Sequence, residues 1–231
     1  LLLNVDGTVL DLEDAVALSE KTNARNALKE ALSLPRRGDV FIRVNSVQTE
    51  FILSDLLAAV TEGVKGLVVA KSESAEEIRQ VDWLIGKIEK ERGLTEGSME
   101  IIPFIESANA IVNAFSIASS SPRVSRMFFG GVDYVLDIGT TFSKGGTELF
   151  YARSQLVVAS RAAGIEPPID TVYPDFKDIG GLVADAKAVR QMGFQGKLAI
   201  HPGQIEPLNE VFTPTPEEIS SDSGPTISLC L

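Results

Sequence analysis

The chain has 231 residues, 44% hydrophobic and 23% charged, and its 32 acidic side chains outnumber 21 lysines and arginines to leave a formal charge of −11. This is the make-up of an ordinary globular protein with enough apolar material for a sizeable core. A negative balance without clustered Lys and Arg argues against nucleic acid, whose binders need such clusters to displace counterions. An anionic small substrate stays compatible, because one bound metal and a few local cations can reverse the potential inside a cleft. The single cysteine, Cys230, has no internal disulfide partner, so an intracellular setting, cytoplasmic or mitochondrial, is expected. No membrane span is expected either: the longest apolar runs, such as residues 66–70, fall far short of the ~20 residues a span needs. The start, Leu1-Leu2-Leu3-Asn4-Val5-Asp6, lacks the basic region and cleavage site of a signal peptide and reads as mid-domain sequence, which predicts that further residues precede it.

Short β-rich apolar runs alternate with helical segments along the whole chain. The first strand is predicted at residues 8–12 and runs into Asp11-Leu12-Glu13-Asp14. Three acids at one strand end are expected to organise a nearby cation or the water shell of a metal, with one of them free to cap a helix. The second strand, 40–45, is interrupted by Arg43, a cation that is costly to bury alone. Two readings stand for it: a bidentate grip on a substrate carboxylate or enolate oxygen, and an internal ion pair with Asp11 or Glu13. Lys71 ends the third strand, 66–70, where an imine-forming aldolase would present its amine. Pairing with Glu73 or Glu106 is the favoured reading, since adjacent acids raise a lysine pKa and imine formation needs it lowered.

The helix that follows is signalled by a capping box, Ser74 and Glu77, and by Ile78, Val81, Leu84, Ile85 and Ile88 on one face. Trp83 and the phenylalanines are expected in the core or in helix packing. The fourth strand, 100–105, ends at Glu106, and the fifth, 126–130, is followed by Gly131 and Asp133. On neighbouring strands these two carboxylates either hold a hard divalent cation such as Mg2+ or cap the helices after them. Gly130 and Gly131 would let the backbone turn tightly below such an ion. The sixth strand, 169–173, precedes Asp175 and Asp178, both expected to cap a helix. The seventh, 197–201, ends at His201, the sole histidine, which is expected to be structural and leaves no His-rich zinc site and no Ser-His-Asp triad with a second candidate base.

Strands alternating with helices imply a parallel sheet covered by helices. Polar residues at the C-terminal ends of nearly every strand favour a closed α/β barrel of the (β/α)8 TIM type over an open sheet, which gathers its ligands at one switch point. No G-x-G-x-x-G follows the first strand, which weakens a dinucleotide-binding reading. Seven strands are visible, and the missing one is assigned to the region before Leu1. Residues 1–216 are read as this barrel domain and 217–231 as a tail.

Val9-Leu10-Asp11-Leu12-Glu13-Asp14-Ala15-Val16, Ile42-Arg43-Val44-Asn45, Ile102-Pro103-Phe104-Ile105-Glu106-Ser107-Ala108, Phe129-Gly130-Gly131-Val132-Asp133-Tyr134 and Gly196-Lys197-Leu198-Ala199-Ile200-His201-Pro202-Gly203-Gln204-Ile205 occur in family order. Through them the chain resembles the CitE-like branch of the HpcH/HpaI aldolase and citrate lyase β-subunit family, most of all its citramalyl-CoA lyases. The resemblance implies a PEP/pyruvate-aldolase-like barrel, usually trimeric, and a Mg2+-dependent carbon–carbon lyase. Its substrates would be citramalyl, malyl, citryl or β-methylmalyl thioesters of CoA or acyl-carrier protein. It implies Mg2+ on Glu106 and Asp133 and substrate carboxylate on Arg43, with Glu106, Asp11 and Glu13 lining the substrate and Arg43 and Asp14 as the catalytic pair. The sequence departs from the family in its first strand, in the C-terminal lid, for which Ser220-Ser221-Asp222-Ser223-Gly224 substitutes a turn-rich stretch, and in Ala70, where the family has proline. Two rivals are an imine-forming aldolase using Lys71 and a non-catalytic acyl-CoA-binding or assembly subunit of the same fold.

Overall fold

A computed structural model describes residues 3–35, 37–215 and 229–230. Its strands are β1 (Gly7–Asp11), β2 (Asp39–Val44), β3 (Gly66–Val69), β4 (Glu100–Ile105), β5 (Phe128–Phe129), β6 (Ile169–Asp170), β7 (Gly196–Ala199) and β8 (Leu229–Cys230). Every neighbouring pair is parallel, and the order closes on itself as a barrel. The place between β7 and β1, which the sequence reading gave to residues before Leu1, is taken by β8: Leu198 and Ala199 pair with Leu229 and Cys230, and Gly7 and Thr8 pair with the same two residues. Two flanking strands with unpaired backbone groups are a ready template for any short extended segment, which is why so brief a strand fits. The turn-rich stretch 220–224 lies outside the described residues.

Alternation along the strands sorts the core into two layers. Val9, Phe41, Val68, Ile102, Phe104, Phe128, Ile169 and Leu198 fill the barrel interior, while the opposite strand faces pack under the helices through residues such as Ile42, Val69, Ile101 and Phe129. The helices are α1 (Lys21–Ser33), α2 (Ile52–Ala59), α3 (Ala75–Arg92), α4 (Ala108–Val112), α5 (Ala114–Ala118), α6 (Gly131–Asp137), α7 (Phe150–Ala163), α8 (Ile179–Met192) and α9 (Ile205–Phe212).

Helix α3 starts as expected, with Ser74 Oγ accepting from Glu77 N at 3.3 Å, but the reciprocal half of the box shifts by one residue: Glu77 Oε2 accepts from Glu73 N at 2.8 Å. Of its expected face, Ile78, Val81, Ile85 and Ile88 are buried and Leu84 is partly buried against the same core. Trp83 is a correction. It is 63% exposed, with the Lys87 ammonium 5.5 Å from its ring centre, because the apolar stripe of α3 is complete without it. Strands β5 and β6 are also shorter than expected, so Gly130 and Thr171 to Tyr173 are loop residues at the barrel mouth.

Candidate active site

The mouth is built from the C-terminal ends of β1 to β5 and the residues just after them. Inward-facing positions that are apolar deep in the barrel become charged at its rim: Val9 gives way to Asp11, Phe41 to Arg43, and Phe104 to Glu106. Asp11 and Arg43 are register partners on adjacent strands. Arg43 Nε donates to Asp11 Oδ1 at 2.8 Å, Nη2 pairs with Asp11 Oδ2, and Nη1 lies 3.3 Å from Glu13 Oε2. The internal ion pair is therefore formed with both acids, leaving two of five guanidinium N–H donors for a ligand. Burial pushes Asp11 up, but the hydrogen bond and charge of Arg43 outweigh it and hold the carboxyl below its ordinary value. Burial opposes the Arg43 charge in the same way, and Asp11, Glu13 and Glu106 reverse that and raise its pKa.

Lys71 departs from the expected pairing. Its ammonium reaches Glu13 Oε1 at 2.5 Å and Asp14 Oδ2 at 3.0 Å, not Glu73 or Glu106. The reason is its backbone: Lys71 has φ +49°, the sole non-glycine left-handed residue among those described. That conformation carries a strain of order 1–3 kcal/mol of the kind found at functional sites. It turns the Lys71 N–H onto Glu106 Oε2 at 2.7 Å. Partial burial favours the neutral amine, but the two carboxylates prevail and raise the Lys71 pKa. For Asp14, burial acts upward and the Lys71 hydrogen bond more than offsets it, so this rim carboxylate is held below its ordinary value.

Glu106 and Asp133 differ from these paired groups. Glu106 is 4% exposed, and burial together with the charges of Asp133 and Glu13 pushes it up to about 8, despite the Lys71 N–H and the Arg43 charge. Asp133, in the first turn of α6, is half-buried, and no described residue donates a hydrogen bond to its carboxylate. The alternative reading of this pair as helix caps does not match the geometry. The cap of α4 is Ser107, whose side chain accepts from Ala110 N at 3.0 Å, and α6 has no side-chain cap.

Gly130 is required by contact, not by a tight turn: its φ is −100°, and an added Cβ would lie 2.4 Å from Glu106 Cγ. Gly131 likewise sits against Thr171, whose Oγ1 accepts from Gly131 N at 2.9 Å. Two neighbouring carboxylates, Glu106 buried and Asp133 half-buried, the second with no hydrogen-bond donor among the described residues, form a donor set that suits a small hard cation retaining water and substrate oxygens. Among the described residues no three His, Cys, Asp or Glu side chains converge as a metal cage.

This arrangement has counterparts. The family model for HpcH/HpaI aldolase/citrate lyase matches residues 2–202. The chain belongs to this family. Over 216 residues it is 39% identical to citrate lyase subunit beta of Haemophilus influenzae, covering 93% of this chain and 74% of that protein. Over 232 residues it is 37% identical to mitochondrial citramalyl-CoA lyase of Homo sapiens, covering 94% of this chain and 67% of that protein. The crystal structure of CitE from Mycobacterium tuberculosis in complex with magnesium, acetoacetate and coenzyme A matches with a TM-score of 0.75 at 27% identity, covering 92% of this chain and 74% of that one. As a member of this family, the chain is an enzyme of the lyase class.

Other residues of this family member behave as expected or went unnoticed in the sequence. His201 caps the turn after β7: its Nδ1 accepts from Gly203 N at 3.0 Å and its ring stacks on Phe176 at 4.8 Å. Asp178 caps α8 by accepting from Gly181 N at 3.0 Å, but Asp175, also expected to cap, does not: it lies three residues before the cap position and closes a local turn by accepting from Lys177 N at 3.2 Å. Sequence reasoning missed Lys21, buried at 4% exposure beneath the mouth. It also missed a buried network of Arg153, Asp170, Asp185 and Lys197. A lysine within apolar Lys197-Leu198-Ala199 was the signal available for the second. Nothing in the periodicity of α1 marks Lys21. Among the described residues no helix is long and apolar enough to cross a membrane.

Proposed function

We propose that this chain is a Mg2+-dependent carbon–carbon lyase that cleaves a small hydroxy-carboxylate acyl thioester to a 2-oxo acid and an acetyl thioester. Citramalyl-CoA, malyl-CoA and a citryl thioester on CoA or acyl-carrier protein are the candidate substrates. The observation that carries the proposal is the pair of buried Glu106 and half-buried Asp133, close enough that the charge of Asp133 raises the Glu106 pKa, with no cation among the described residues paired to either, while Asp11, Glu13 and Asp14 each have one. The magnesium, acetoacetate and coenzyme A named with the Mycobacterium tuberculosis structure support it.

Glu106 and Asp133 would hold the ion. When bound, Mg2+ supplies Lewis-acid polarisation of the substrate hydroxyl and its adjacent carboxylate. Asp14, kept ionised by Lys71, takes the hydroxyl proton. The O–H electron pair becomes the new C=O bond, and the bond from that carbon to the carbon next to the thioester breaks. The released pair forms the thioester enolate, whose oxygen receives the two free N–H donors of Arg43. The enolate carbon then takes up one proton, balanced by the one Asp14 accepted and releases, which gives the acetyl thioester and restores the Asp14 carboxylate. Asp11 and Glu13 keep the guanidinium in place and line the substrate. Lys71 is unsuited to imine chemistry, because its amine is pinned by two acids and kept protonated.

The proposal extends to an intracellular, cytoplasmic or mitochondrial setting and to a homotrimer. Exposed apolar side chains on α5, α6 and α7, namely Phe115, Leu136, Phe150, Tyr151 and Val158, supply surface for self-association. The decisive experiment pairs Glu106→Ala and Asp133→Ala with two measurements, Mg2+ binding by calorimetry and thioester cleavage. Both should fall on the order of 100-fold or more. Retention of both would refute the assignment.

A further inference from the structure

Lys21 opens α1, and its side chain lies under the acidic end of β1. All three of its ammonium donors are used: Leu12 O at 2.7 Å, Glu13 O at 2.7 Å and Asn45 Oδ1 at 2.9 Å. None of these acceptors carries a charge. A buried ammonium spent on two consecutive carbonyls is expensive for stability alone, since a neutral donor would satisfy them at less desolvation cost. What the ammonium does is hold the carbonyls of Leu12 and Glu13 together from one point.

The consequences reach the mouth through short links. Asn45 Nδ2 also donates to Leu12 O at 2.9 Å, and Asn45 is itself held by the fully buried Asp55 through its backbone N–H at 2.9 Å and its side-chain amide at 2.6 Å. Asp55 is in turn paired with Arg25 of α1 at 2.9 Å. The carbonyl of Glu13 is thus fixed from below, while its carboxylate is met from above by Lys71 at 2.5 Å and by Arg43 at 3.3 Å. The turn is closed by Asp14 N on Glu13 Oε2 at 2.7 Å and by Glu13 N on Asp11 Oδ1 at 2.8 Å.

We infer that Lys21 is a positioning residue for the reaction: its ammonium sets the backbone of Leu12 and Glu13, and through Glu13 it orients Arg43 and the pair Lys71–Asp14. It touches neither substrate nor metal. The inference rests on the lyase reading for its kinetic arm and stands without it for its structural arm.

The test compares wild type with Lys21→Met, which keeps the length and apolar stem of the side chain, and Lys21→Arg. A planar guanidinium cannot point three donors at acceptors gathered around one atom, so arginine should fail to restore function although it keeps the charge. Hydrogen exchange of the Glu13, Asp14 and Ala15 amides is read first, and both variants should exchange these sites at least tenfold faster while amides of β3 and β4 stay protected. Thioester cleavage is read next: kcat should fall about tenfold or more, with Mg2+ affinity at Glu106 and Asp133 within about threefold of wild type. A merely structural lysine would lower the melting temperature and leave kcat per folded molecule unchanged, which would overturn the inference. Unchanged amide exchange would overturn it as well. If wild type binds Mg2+ but cleaves no thioester, the lyase reading fails while the exchange data still decide the positioning role. Should Lys21→Met not fold, Asn45→Ala, which deletes one of the three acceptors, is read by the same exchange at smaller amplitude, with the same outcomes deciding.

Discussion

Two groups of buried charge in this barrel show opposite ways of tolerating burial. On the outer strand face, Asp170 and Lys197 are neighbours of the interior residues Ile169 and Leu198 and so point the other way, toward α7 and α8. There Arg153 holds Asp170 by two hydrogen bonds, at 3.0 and 2.9 Å, and Asp185 by two more, at 3.0 and 3.2 Å. Lys197 reaches the same acids at 2.5 and 2.6 Å. Two cations meet two anions, the charge closes, and the group is structural. In the mouth, Asp11, Glu13, Asp14, Glu106 and Asp133 have, among the described residues, Arg43 and Lys71 alone as paired cations. Three acids are served and two are not. That imbalance sets the mouth apart from the closed outer network, and it is what the proposed cation would offset.

The largest expected effect sharpens this contrast through pH. Glu106 keeps its proton in the folded protein up to about 8 and loses it near its ordinary value of 4.5 when unfolded. Between those limits the unfolded chain binds fewer protons, so stability should fall as pH rises from about 4.5 to about 8 and then level off, by roughly 5 kcal/mol in all. Urea unfolding in a chelator, across that range, measures it. Glu106→Gln should flatten the slope, and an equal slope in that variant would show that the burden lies elsewhere.

Next in size, Asp170→Ala leaves Arg153 and Lys197 sharing one acid in a buried setting, and should cost roughly 4 kcal/mol of unfolding free energy while leaving Mg2+ affinity per folded molecule as in wild type. If that variant instead loses Mg2+ binding with little loss of stability, the division between the two regions is wrong. Mg2+ itself, at a hundredfold excess over its dissociation constant, should stabilise wild type and Asp170→Ala alike by about 2.7 kcal/mol. Asp133→Ala should gain nothing from the ion, as thermal melts with and without it will report. The smallest effect is Gly130→Ala. Its Cβ would come within 2.4 Å of Glu106 Cγ and displace that carboxylate, costing about 2 kcal/mol and weakening Mg2+ binding, in calorimetry, more than its modest stability loss would suggest.

Both regions were unequally visible beforehand. The mouth was legible because its charges sit at strand ends, where an alternating apolar pattern breaks into Asp11, Arg43, Lys71 and Glu106. The outer network was not, because Arg153 and Asp185 look like ordinary charges on the solvent faces of α7 and α8. They are buried only because those helices pack over β6 and β7. The partner of Lys71 was misread for a related reason: sequence proximity favoured Glu73, and the left-handed turn at Lys71 swings the ammonium to Glu13 and Asp14 instead. Trp83 looked like core and is surface, since periodicity counts which face is apolar but not how much of that face the sheet can cover.

The amino-acid sequence by itself determined the alternation of strand and helix, the barrel class, the acids and the arginine at the mouth, and the residues that tie the chain to its family, because each is written in local periodicity or in a contiguous motif. Only the tertiary structure decided which charges cancel, that Glu106 and Asp133 are left over, that Lys21 underpins the β1 turn, and that Leu229–Cys230 occupies the eighth place in the ring. Those are contacts between residues distant in the chain. Their energies depend on burial and separation, which no local pattern encodes.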